Sequence, residues 1–257
     1  MTTALTLTAL PGVPMVSAGD DLTEIILNAL LAAGIMLADG DILVLAQKIV
    51  SKAEGRRVNL TAVQPSVQAQ QLAAETEKDP RLVELILQES REVVRKRPGL
   101  IVVEHNLGFI SANAGIDHSN VRADDGQLDE WVLLLPKDPD ASAQALRHQL
   151  QAASSARLGV LIIDSHGRAW RNGTLGVTIG LAGLPGVVDL RGEPDLFGRE
   201  LRVTELAAAD ELAAAASLVM GQAAEARPVV HARGFPYPLR EASLQELLRD
   251  KENDLFR

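Results

Sequence analysis

The order of hydrophobic and polar positions divides the chain into short apolar runs and longer amphipathic segments. Continuous apolar runs occupy residues 42–46, 100–103 and 158–163, and their length is typical of buried strands. Further strands are predicted at residues 131–135, 176–180, 187–190 and 229–233. Apolar residues at helical spacing predict helices at residues 22–33, 65–76, 80–87, 141–156, 205–220 and 244–251. Because strands and helices are interleaved, the pattern predicts an α+β fold with mixed sheets.

Residues that favour helix ends support the predicted boundaries. Asp, Ser or Thr at an N-cap accepts hydrogen bonds from free backbone N–H groups, and a Glu three residues later completes a capping box. The sequence offers two capping boxes, three single caps, an N-terminal proline and a C-terminal glycine: Asp21 with Glu24, Ser243 with Glu246, Asp79, Asp140, Thr204, Pro65 and Gly34.

Turn-forming residues predict the connections. The dipeptide Pro98-Gly99 predicts a hairpin that folds residues 91–97 back on residues 100–103. The basic side chains of residues 91–97 either face an anionic ligand or form a solvated edge that discourages aggregation. Residues 10–14 predict a turn, and residues 191–199 a long irregular loop. No domain boundary is visible, so residues 1–257 are predicted to form a single module, which can contain two intertwined subdomains.

Composition excludes several classes of function. The chain contains no cysteine, so disulfides, thiolate metal sites and cysteine nucleophiles are excluded. A net charge of −9 opposes non-specific nucleic-acid binding, so any anionic ligand needs a local group of Lys and Arg. No apolar stretch reaches the length of a membrane span, and the first residues lack the basic start of a signal peptide. We therefore expect a cytoplasmic protein that binds neither nucleic acid nor membrane.

The loop that follows residues 100–103 is the first candidate for chemistry. Residues 113–120 contain Asn113, Gly115, Asp117, Ser119 and Asn120. Their carboxylate, amide and carbonyl oxygens are hard ligands, which suit Mg²⁺ or Mn²⁺ better than zinc. The alternative is a polar turn in which Asn and Asp bond their own backbone.

A second segment presents the same chemistry. The apolar run 158–163 is followed directly by Asp164 and Ser165, and then by Arg168, Trp170 and Arg171. Ligands of open sheets collect beyond strand ends, so Asp117 and Asp164 together predict a shared centre for metal and phosphate. The alternative for each aspartate is a turn cap.

Basic residues follow another predicted strand. Lys48, Ser51 and Lys52 follow the run 42–46, and two ammonium groups and a hydroxyl are suited to phosphate oxygens. The alternative is an ordinary solvated helix turn. The P-loop, G-x-G-x-x-G, G-x-S-x-G and H-E-x-x-H patterns are absent from the sequence, so the common nucleotide, hydrolase and zinc scaffolds do not apply.

Several segments resemble, in the same order, the coenzyme F420-0:L-glutamate ligase (gamma-glutamyl ligase) family. The resemblance extends from about Leu10 to Gly234 and is carried by LPGVPMVSAGDDL, AQKIVSKAEGR, KDPRLVELIL with REVVR, ANAGIDHSN, IIDSHGRAWRNGTLGVTIG, DLFGREL and MGQAAEARPVV. The most specific part is ANAGIDHSN together with IIDSHGRAWRNG.

The resemblance implies an activity and a set of partners. It implies a GTP-dependent ligase that joins L-glutamate to coenzyme F420-0 or its dehydro form, and that can add further gamma-linked glutamates. An acyl-phosphate intermediate fits this reaction, since a carboxylate must be activated before an amine can attack it. The resemblance also implies Mg²⁺ or Mn²⁺, two per site, with K⁺ as a further candidate, and an intertwined homodimer with a family-specific fold.

The resemblance also assigns site residues. Metal ligands would be Asp117, Asp164, Ser165, where relatives commonly have threonine, and Gln222. Asp117, Asp164 and Lys52 would be catalytic. GTP contacts would come from the N-terminal turn, the first basic segment, the metal loop and the segment after the predicted helix 205–220: Leu10, Pro11, Gly12, Val13, Gln47, Lys48, Lys52, Asn120, Met220, Gly221, Gln222, Ala223, Ala224, Glu225, Ala226 and Arg227.

Some roles stay open at the level of sequence. Arg168 and Arg171, with the two lysines, are candidates for the charge of phosphates and substrate carboxylates. His118 and His166 adjoin the proposed metal ligands, but a surface histidine is the favoured interpretation of each. Two other functions use the same residues: a metal-dependent phosphohydrolase and a non-catalytic nucleotide-binding protein.

Overall fold

This computed structural model describes residues 4–118 and 130–255. The helices in these ranges are α1 Leu22–Ala32, α2 Gln47–Ala53, α3 Val67–Thr76, α4 Pro80–Gln88, α5 Pro139–Ser154 and α6 Ala208–Met220. The strands are β1 Thr6–Ala9, β2 Ile42–Ala46, β3 Arg57–Asn59, β4 Ser90–Arg97, β5 Leu100–His105, β6 Ile110–Ala112, β7 Trp131–Leu133, β8 Gly159–Arg168, β9 Arg171–Ala182, β10 Val188–Asp189, β11 Glu205–Leu206 and β12 Val229–Arg233. No helix in the described ranges is long and apolar enough to cross a membrane.

The largest sheet has the strand order β1-β12-β2-β8-β9. Strands β2 and β8 are parallel, whereas the other neighbours are antiparallel. The apolar run of β2 lies in the middle of this sheet, and its residues 42–45 are fully buried, as a continuous apolar strand predicts. The interleaved helices and mixed sheet confirm the α+β prediction.

Two hydrophobic clusters support the described chain. The larger lies around the five-stranded sheet and helices α1, α5 and α6, with Ile26, Leu161 and Leu212 among its members. The smaller joins α3, α4, β5 and β7 and includes Val83 and Val103. Strands β4, β5 and β6 form a separate antiparallel sheet beside it. The candidate site, described below, is built from residues attached to both clusters.

Several local predictions are confirmed. The Asp21 side chain accepts hydrogen bonds from the N–H groups of Thr23 and Glu24, so it caps α1 as predicted. The hairpin at Pro98-Gly99 forms between β4 and β5. Its basic residues pair within the fold, since Arg91 contacts Glu104 and Lys96 contacts Glu75. This pairing agrees with the solvated-edge interpretation.

Three predicted helix starts are wrong. Helix α3 begins at Val67 with Ser66 as its cap rather than at Pro65. Asp138, not Asp140, caps α5, because Asp140 instead accepts hydrogen bonds from the N–H groups of Leu181 and Leu244. Glu205 and Leu206 pair with β10, so α6 starts at Ala208 without a cap from Thr204.

The predicted C-terminal helix is also wrong. The region holds only short 3₁₀ turns at Leu244–Leu247 and Lys251–Asn253, and Ser243 makes no capping hydrogen bond. The Glu246 carboxylate accepts hydrogen bonds from Arg240 and from the Gly186 N–H, so it is not available to complete a capping box.

Strand lengths differ from the predictions at several places, and the strand predicted at residues 176–180 is part of the longer β9, Arg171–Ala182. Strand β8 continues through Asp164 to Arg168 and forms a hairpin with β9, so Asp164 lies within a strand and not at its end. Strand β7 ends at Leu133 rather than Leu135. Sequence patterning missed β1, β3 and β6, which are too short to show a period.

Candidate active site

The register of the large sheet brings three of the predicted nucleotide-binding segments to one edge. Leu10, which follows β1, donates its N–H to the Val229 carbonyl at 2.9 Å. Ala46, the last residue of β2, donates its N–H to the Pro228 carbonyl at 2.8 Å and is paired with Ile163 of β8. The segments next to these paired residues are therefore neighbours in space. They are the turn after Leu10, the start of α2, the segment before Pro228, and Asp164.

Asp117 reaches this edge from the smaller cluster. Its backbone forms two hydrogen bonds with Leu133, both of 2.9 Å, which fix the loop against the end of β7. Its carboxylate accepts a hydrogen bond from Gln47 Nε2 at 2.7 Å and lies 3.0 Å from Lys48 Nζ. Gln47 is itself held by Ser51, whose hydroxyl donates to Gln47 Oε1 at 2.7 Å. The start of α2 therefore holds Asp117 at the sheet edge.

Asn113 and Gly115 fix the loop before Asp117. The Asn113 side chain accepts a hydrogen bond from the Ile101 N–H at 3.2 Å, so this amide attaches the loop to β5 rather than bonding its own local backbone, as the polar-turn interpretation predicted. Gly115 has a φ of +65°, and a Cβ atom there would lie 2.7 Å from Leu135, so the close approach of the loop requires glycine. Asp117 instead faces the sheet edge. Ser119 and Asn120 lie outside the described residues.

The two acids influence each other. Burial raises the pKa of Asp117, the charge of Lys48 lowers it, and the nearby charge of Asp164 raises it; the net pKa is above the ordinary value. Burial would also raise the pKa of Asp164, but His166, the Ser165 backbone N–H and the charge of Lys48 outweigh burial and hold that pKa below the ordinary value. Asp117 and Asp164 therefore occupy one electrostatic site and share Lys48 as a cation.

The two histidines beside the acids differ. His118 is exposed, as the surface interpretation predicts. That interpretation is wrong for His166, whose side chain is only 13% exposed and whose Nε2 lies 3.0 Å from Asp164 Oδ2. Alternate residues of a strand share one face, so an acid and a histidine two positions apart become neighbours once β8 extends past Asp164. The prediction that β8 ends at residue 163 concealed this relationship.

Two neutral candidates lie together: Gln222 and Ser165, whose side chain points to the opposite face of β8 from Asp164 and His166. The Ser165 hydroxyl donates to Gln222 Oε1 at 2.9 Å, and Gln222 Nε2 donates to the Ser217 hydroxyl at 3.1 Å. The residue after the end of α6 is thereby linked to β8. Gly221 ends α6 with a φ of +79°, and Glu225 folds back to accept the Ala223 N–H at 2.8 Å. The remaining predicted contacts of this segment are exposed: Ala224, Ala226 and Arg227.

The donor set fits a hard divalent cation. No group of three acidic, histidine or cysteine side chains able to hold a metal occurs in the described ranges, so a bound cation would need water, phosphate or neutral protein oxygens as further ligands. Two partly buried carboxylates leave room for water and phosphate as further ligands, as Mg²⁺ and Mn²⁺ sites commonly do.

The basic candidates divide into two groups. Lys52 is half-buried and follows Lys48 by one helical turn, so both lysines lie on one face of α2. Arg168 and Arg171 are paired at the tip of the β8–β9 hairpin. Four residues of strand place Arg168 roughly 13 Å from Asp164 along β8, so within this chain the arginines are not beside the acids.

A cavity adjoins the N-terminal turn. Its volume is about 240 Å³, and it is lined by Pro11, Gly12, Pro14, Ile25, Asn28, Ala29 and Ala32. The fully buried Leu10 and the half-buried Val13 anchor this turn on the large cluster. Asn28 was not a predicted site residue, because only the packing of α1 against the turn brings it to the wall of this cavity.

Comparison with known proteins finds one family across most of the chain. The model of the F420-0:Gamma-glutamyl ligase family matches residues 12–234. Among curated relatives, "Coenzyme F420:L-glutamate ligase" of Methanothermobacter thermautotrophicus is 49% identical over 255 residues, which cover 98% of this chain and 99% of the relative. Proteins of the same name from Methanocaldococcus jannaschii and Haloarcula marismortui are 42% and 41% identical, covering 86% and 97% of this chain and 86% and 94% of the relatives.

Proposed function

Because this chain belongs to the F420-0:gamma-glutamyl ligase family and is a coenzyme F420:L-glutamate ligase, we propose that it drives the ligation with GTP at the edge of its large sheet. The substrates in this proposal are GTP, L-glutamate and coenzyme F420-0 or its dehydro form. One observation carries the proposal: Asp117 and Asp164, which are 47 positions apart, share one site with Lys48.

The proposed reaction has two steps. A carboxylate oxygen of F420-0 attacks the γ-phosphorus of GTP, the bond to the β-phosphate oxygen breaks, and GDP leaves an acyl phosphate behind. The amine of glutamate then attacks the acyl carbon, phosphate leaves, and the amine loses a proton. Phosphoryl transfer depends on positioning and charge neutralisation more than on covalent help from the protein.

Each part of the site has a proposed role. Asp117 and Asp164, with Ser165 and Gln222, hold two Mg²⁺ or Mn²⁺ ions, and K⁺ is a further candidate. These ions supply neutralisation of the triphosphate. Lys48 and Lys52 bind phosphate oxygens from one face of α2. The turn at Leu10–Val13 and the segment Met220–Arg227 bind GTP, and Asn120 contributes from outside the described residues.

In this proposal, the cavity beside the N-terminal turn binds the guanine base. It lies next to Pro11 and Gly12 and is walled mainly by small or apolar side chains, with one amide, that of Asn28. An amide has both donor and acceptor atoms, which the edge of guanine requires. We assign Asn28 to base recognition in this proposal.

The assembly and location are parts of the same proposal. A homodimer is supported by large apolar side chains that are exposed on the single chain, among them Trp170, Leu196, Phe197 and Val203. Light scattering is expected to give twice the chain mass of 27.5 kDa. A monomer would contradict the dimer without touching the proposed chemistry. The cytoplasm remains the expected location, since GTP is available there.

Mass spectrometry tests the proposed reaction. F420-0 is incubated with the protein, GTP, Mn²⁺ and glutamate, and successive glutamyl additions are expected together with GDP. An Asp164→Asn variant is the matched control and is expected to give no addition. GTP hydrolysis that needs neither F420-0 nor glutamate would favour a phosphohydrolase, and equal behaviour of an Asp117→Asn variant would favour a non-catalytic binding protein.

A further inference from the structure

Three aromatic rings, called the ring stack below, make successive contacts that lead from β5 to Asp164, the first pair stacked and the second tilted. The ring centroids of His105 and Phe109 are 5.1 Å apart with an interplanar angle of 10°. Those of Phe109 and His166 are 5.3 Å apart with an angle of 52°. Phe109 therefore lies between two imidazoles, and His166 is the end of the stack that touches the site.

The far end of the stack is fixed by a tight turn. The His105 N–H donates to the Phe109 carbonyl at 2.9 Å, and the Gly108 N–H donates to the His105 carbonyl at 2.8 Å. The His105 ring is itself held, since its Nδ1 accepts the Leu107 N–H at 3.0 Å. Burial, with the charges of His166 and Arg56, lowers the pKa of His105 to about 4, so this ring is neutral and packs as an apolar surface at neutral pH. Phe109 is thereby positioned from both ends of its turn.

At the near end of the stack, His166 contacts the Asp164 carboxylate. Asp164 and His166 have side chains that are 11% and 13% exposed, and His166 Nε2 lies 3.0 Å from Asp164 Oδ2. This close contact at one oxygen restricts the rotation of the carboxylate, and with it the direction of its other oxygen. Partners of this kind around metal ligands commonly set affinity, and their loss costs about 10- to 100-fold in metal binding.

We propose that Phe109 and His166 are positioning residues: the Phe109 ring, backed by His105, orients the His166 imidazole, whose Nε2 sets the rotamer of Asp164 for a divalent cation. This inference rests on the proposed function, in which Asp164 is a ligand of that cation. His166 does not touch the nucleotide or the reacting atoms in this role.

Binding of Mn²⁺ to the nucleotide-free full chain tests the proposal, with free Mn²⁺ measured by electron paramagnetic resonance. His166→Leu keeps side-chain bulk but removes the donor, and we expect Mn²⁺ affinity to fall by about 10-fold or more. His166→Gln places an amide N–H at a similar reach and is expected to stay within about 3-fold of the wild type. Phe109→Leu removes the ring, and its Mn²⁺ affinity is expected to lie between those of His166→Leu and His166→Gln. His148→Leu on the exposed face of α5 is the control.

The outcomes separate this inference from the proposed function. Unchanged Mn²⁺ affinity in His166→Leu, or equal losses in His166→Leu and His166→Gln, would overturn the positioning role. If Asp164→Asn binds Mn²⁺ as well as the wild type does, the proposed metal site itself fails. Thermal unfolding of each variant is followed by circular dichroism. His166 is partly solvent-accessible, so its variants are expected to fold even where Phe109→Leu is destabilised.

Discussion

Lys48 Nζ lies 3.0 Å from Asp117 Oδ1, and this ion pair joins the two hydrophobic clusters of the described chain. Lys48 belongs to α2, which follows the central strand of the large sheet, whereas Asp117 follows β6 and is bonded to β7. Both side chains are about one quarter exposed, with values of 28% and 24%. Solvent therefore reaches the pair, as substrate phosphates must in the proposed reaction.

Asp117→Asn is expected to abolish ligation without unfolding the protein. Loss of one carboxylate from the proposed metal centre removes several kcal/mol of transition-state stabilisation, so kcat should fall by at least about 100-fold. The pKa of Asp117 is raised in the fold, so its charged form opposes folding above that pKa. The free energy of unfolding at pH 7 should thus stay within about 1 kcal/mol of the wild type or increase. Urea unfolding measures this, and a large loss of stability would contradict the electrostatic account.

Lys48→Met is expected to weaken the use of GTP. The variant removes the cation that Asp117 and Asp164 share, and kcat/KM for GTP should fall by about 10- to 100-fold, as expected when a charge-assisted contact is lost. Lys48→Arg should retain more activity than Lys48→Met, because it keeps the positive charge. It should remain below the wild type, because the guanidinium differs from the ammonium in shape. Steady-state kinetics measure both variants, and Lys137→Met, at an exposed lysine outside the site, is the control. Equal kinetics of Lys48→Met and Lys137→Met would exclude a phosphate-binding role.

Asn28→Ala is expected to reduce the preference for GTP over ATP. Removal of the amide leaves the edge of the base without its partner, so KM for GTP should rise by about 10-fold while KM for ATP changes little. Leu31→Ala is the matched control, since Leu31 is exposed on the same helix but does not line the cavity. The ratio of kcat/KM for the two nucleotides gives the result. An unchanged ratio would place the base elsewhere.

Asp41→Asn is expected to destabilise the fold at neutral pH. Asp41 is 1% exposed and accepts hydrogen bonds from Arg233 Nε and Nη2 at 2.8 and 2.7 Å, with His231 Nε2 at 2.9 Å. The Asp41 carboxylate is buried but Arg233 is half exposed, so the loss of this charge should cost about 1–3 kcal/mol through the hydrogen bonds that it weakens. Asp39→Asn nearby removes a carboxylate whose side chain is 64% exposed and should cost less than about 1 kcal/mol.

The effect of Asp41 should depend on pH. Burial alone would raise the pKa of Asp41, but the hydrogen bonds from Arg233 and His231 outweigh burial and hold it below the ordinary value. A lowered pKa contributes stability that is complete above the unfolded value of about 4 and is lost as pH falls through the folded value. The stability gap between wild type and Asp41→Asn should therefore narrow below about pH 4. A gap that stays constant from pH 7 to pH 3 would contradict this account.

Gly180→Ala is expected to destabilise the protein through a steric clash. A Cβ atom at Gly180 would lie 2.4 Å from Pro139 Cβ and 2.5 Å from the Pro139 carbonyl carbon, which belong to the first turn of α5. Overpacking of this kind typically costs about 1–3 kcal/mol. Gly167→Ala in the same hairpin is the control, because nothing lies within 4 Å of its Cβ position. Thermal unfolding should separate the two variants.

Sequence patterns predicted correctly those helices and strands whose conformation depends mainly on their own residues. Strand β2 and helix α1 formed as expected, because a continuous apolar run and a capped amphipathic segment need no distant partner to be recognised. Asp140 shows the opposite case. Asp is a residue type that often caps helices, but the Asp140 carboxylate accepts hydrogen bonds from the N–H groups of Leu181 and Leu244. Asp138 therefore caps α5. Short strands such as β1 exist only through pairing with a distant strand.

The sequence by itself determined which groups are available to a site: aspartates that adjoin hydroxyl and amide residues, lysines after a buried strand, and no cysteine thiolate. Only the tertiary structure decided that Asp117 rests on Gln47 and Lys48, and that His166 is enclosed between Asp164 and Phe109. The physical reason is that sheet register and cluster packing set distances between residues far apart in sequence. Residue type and local period carry no information about those distances.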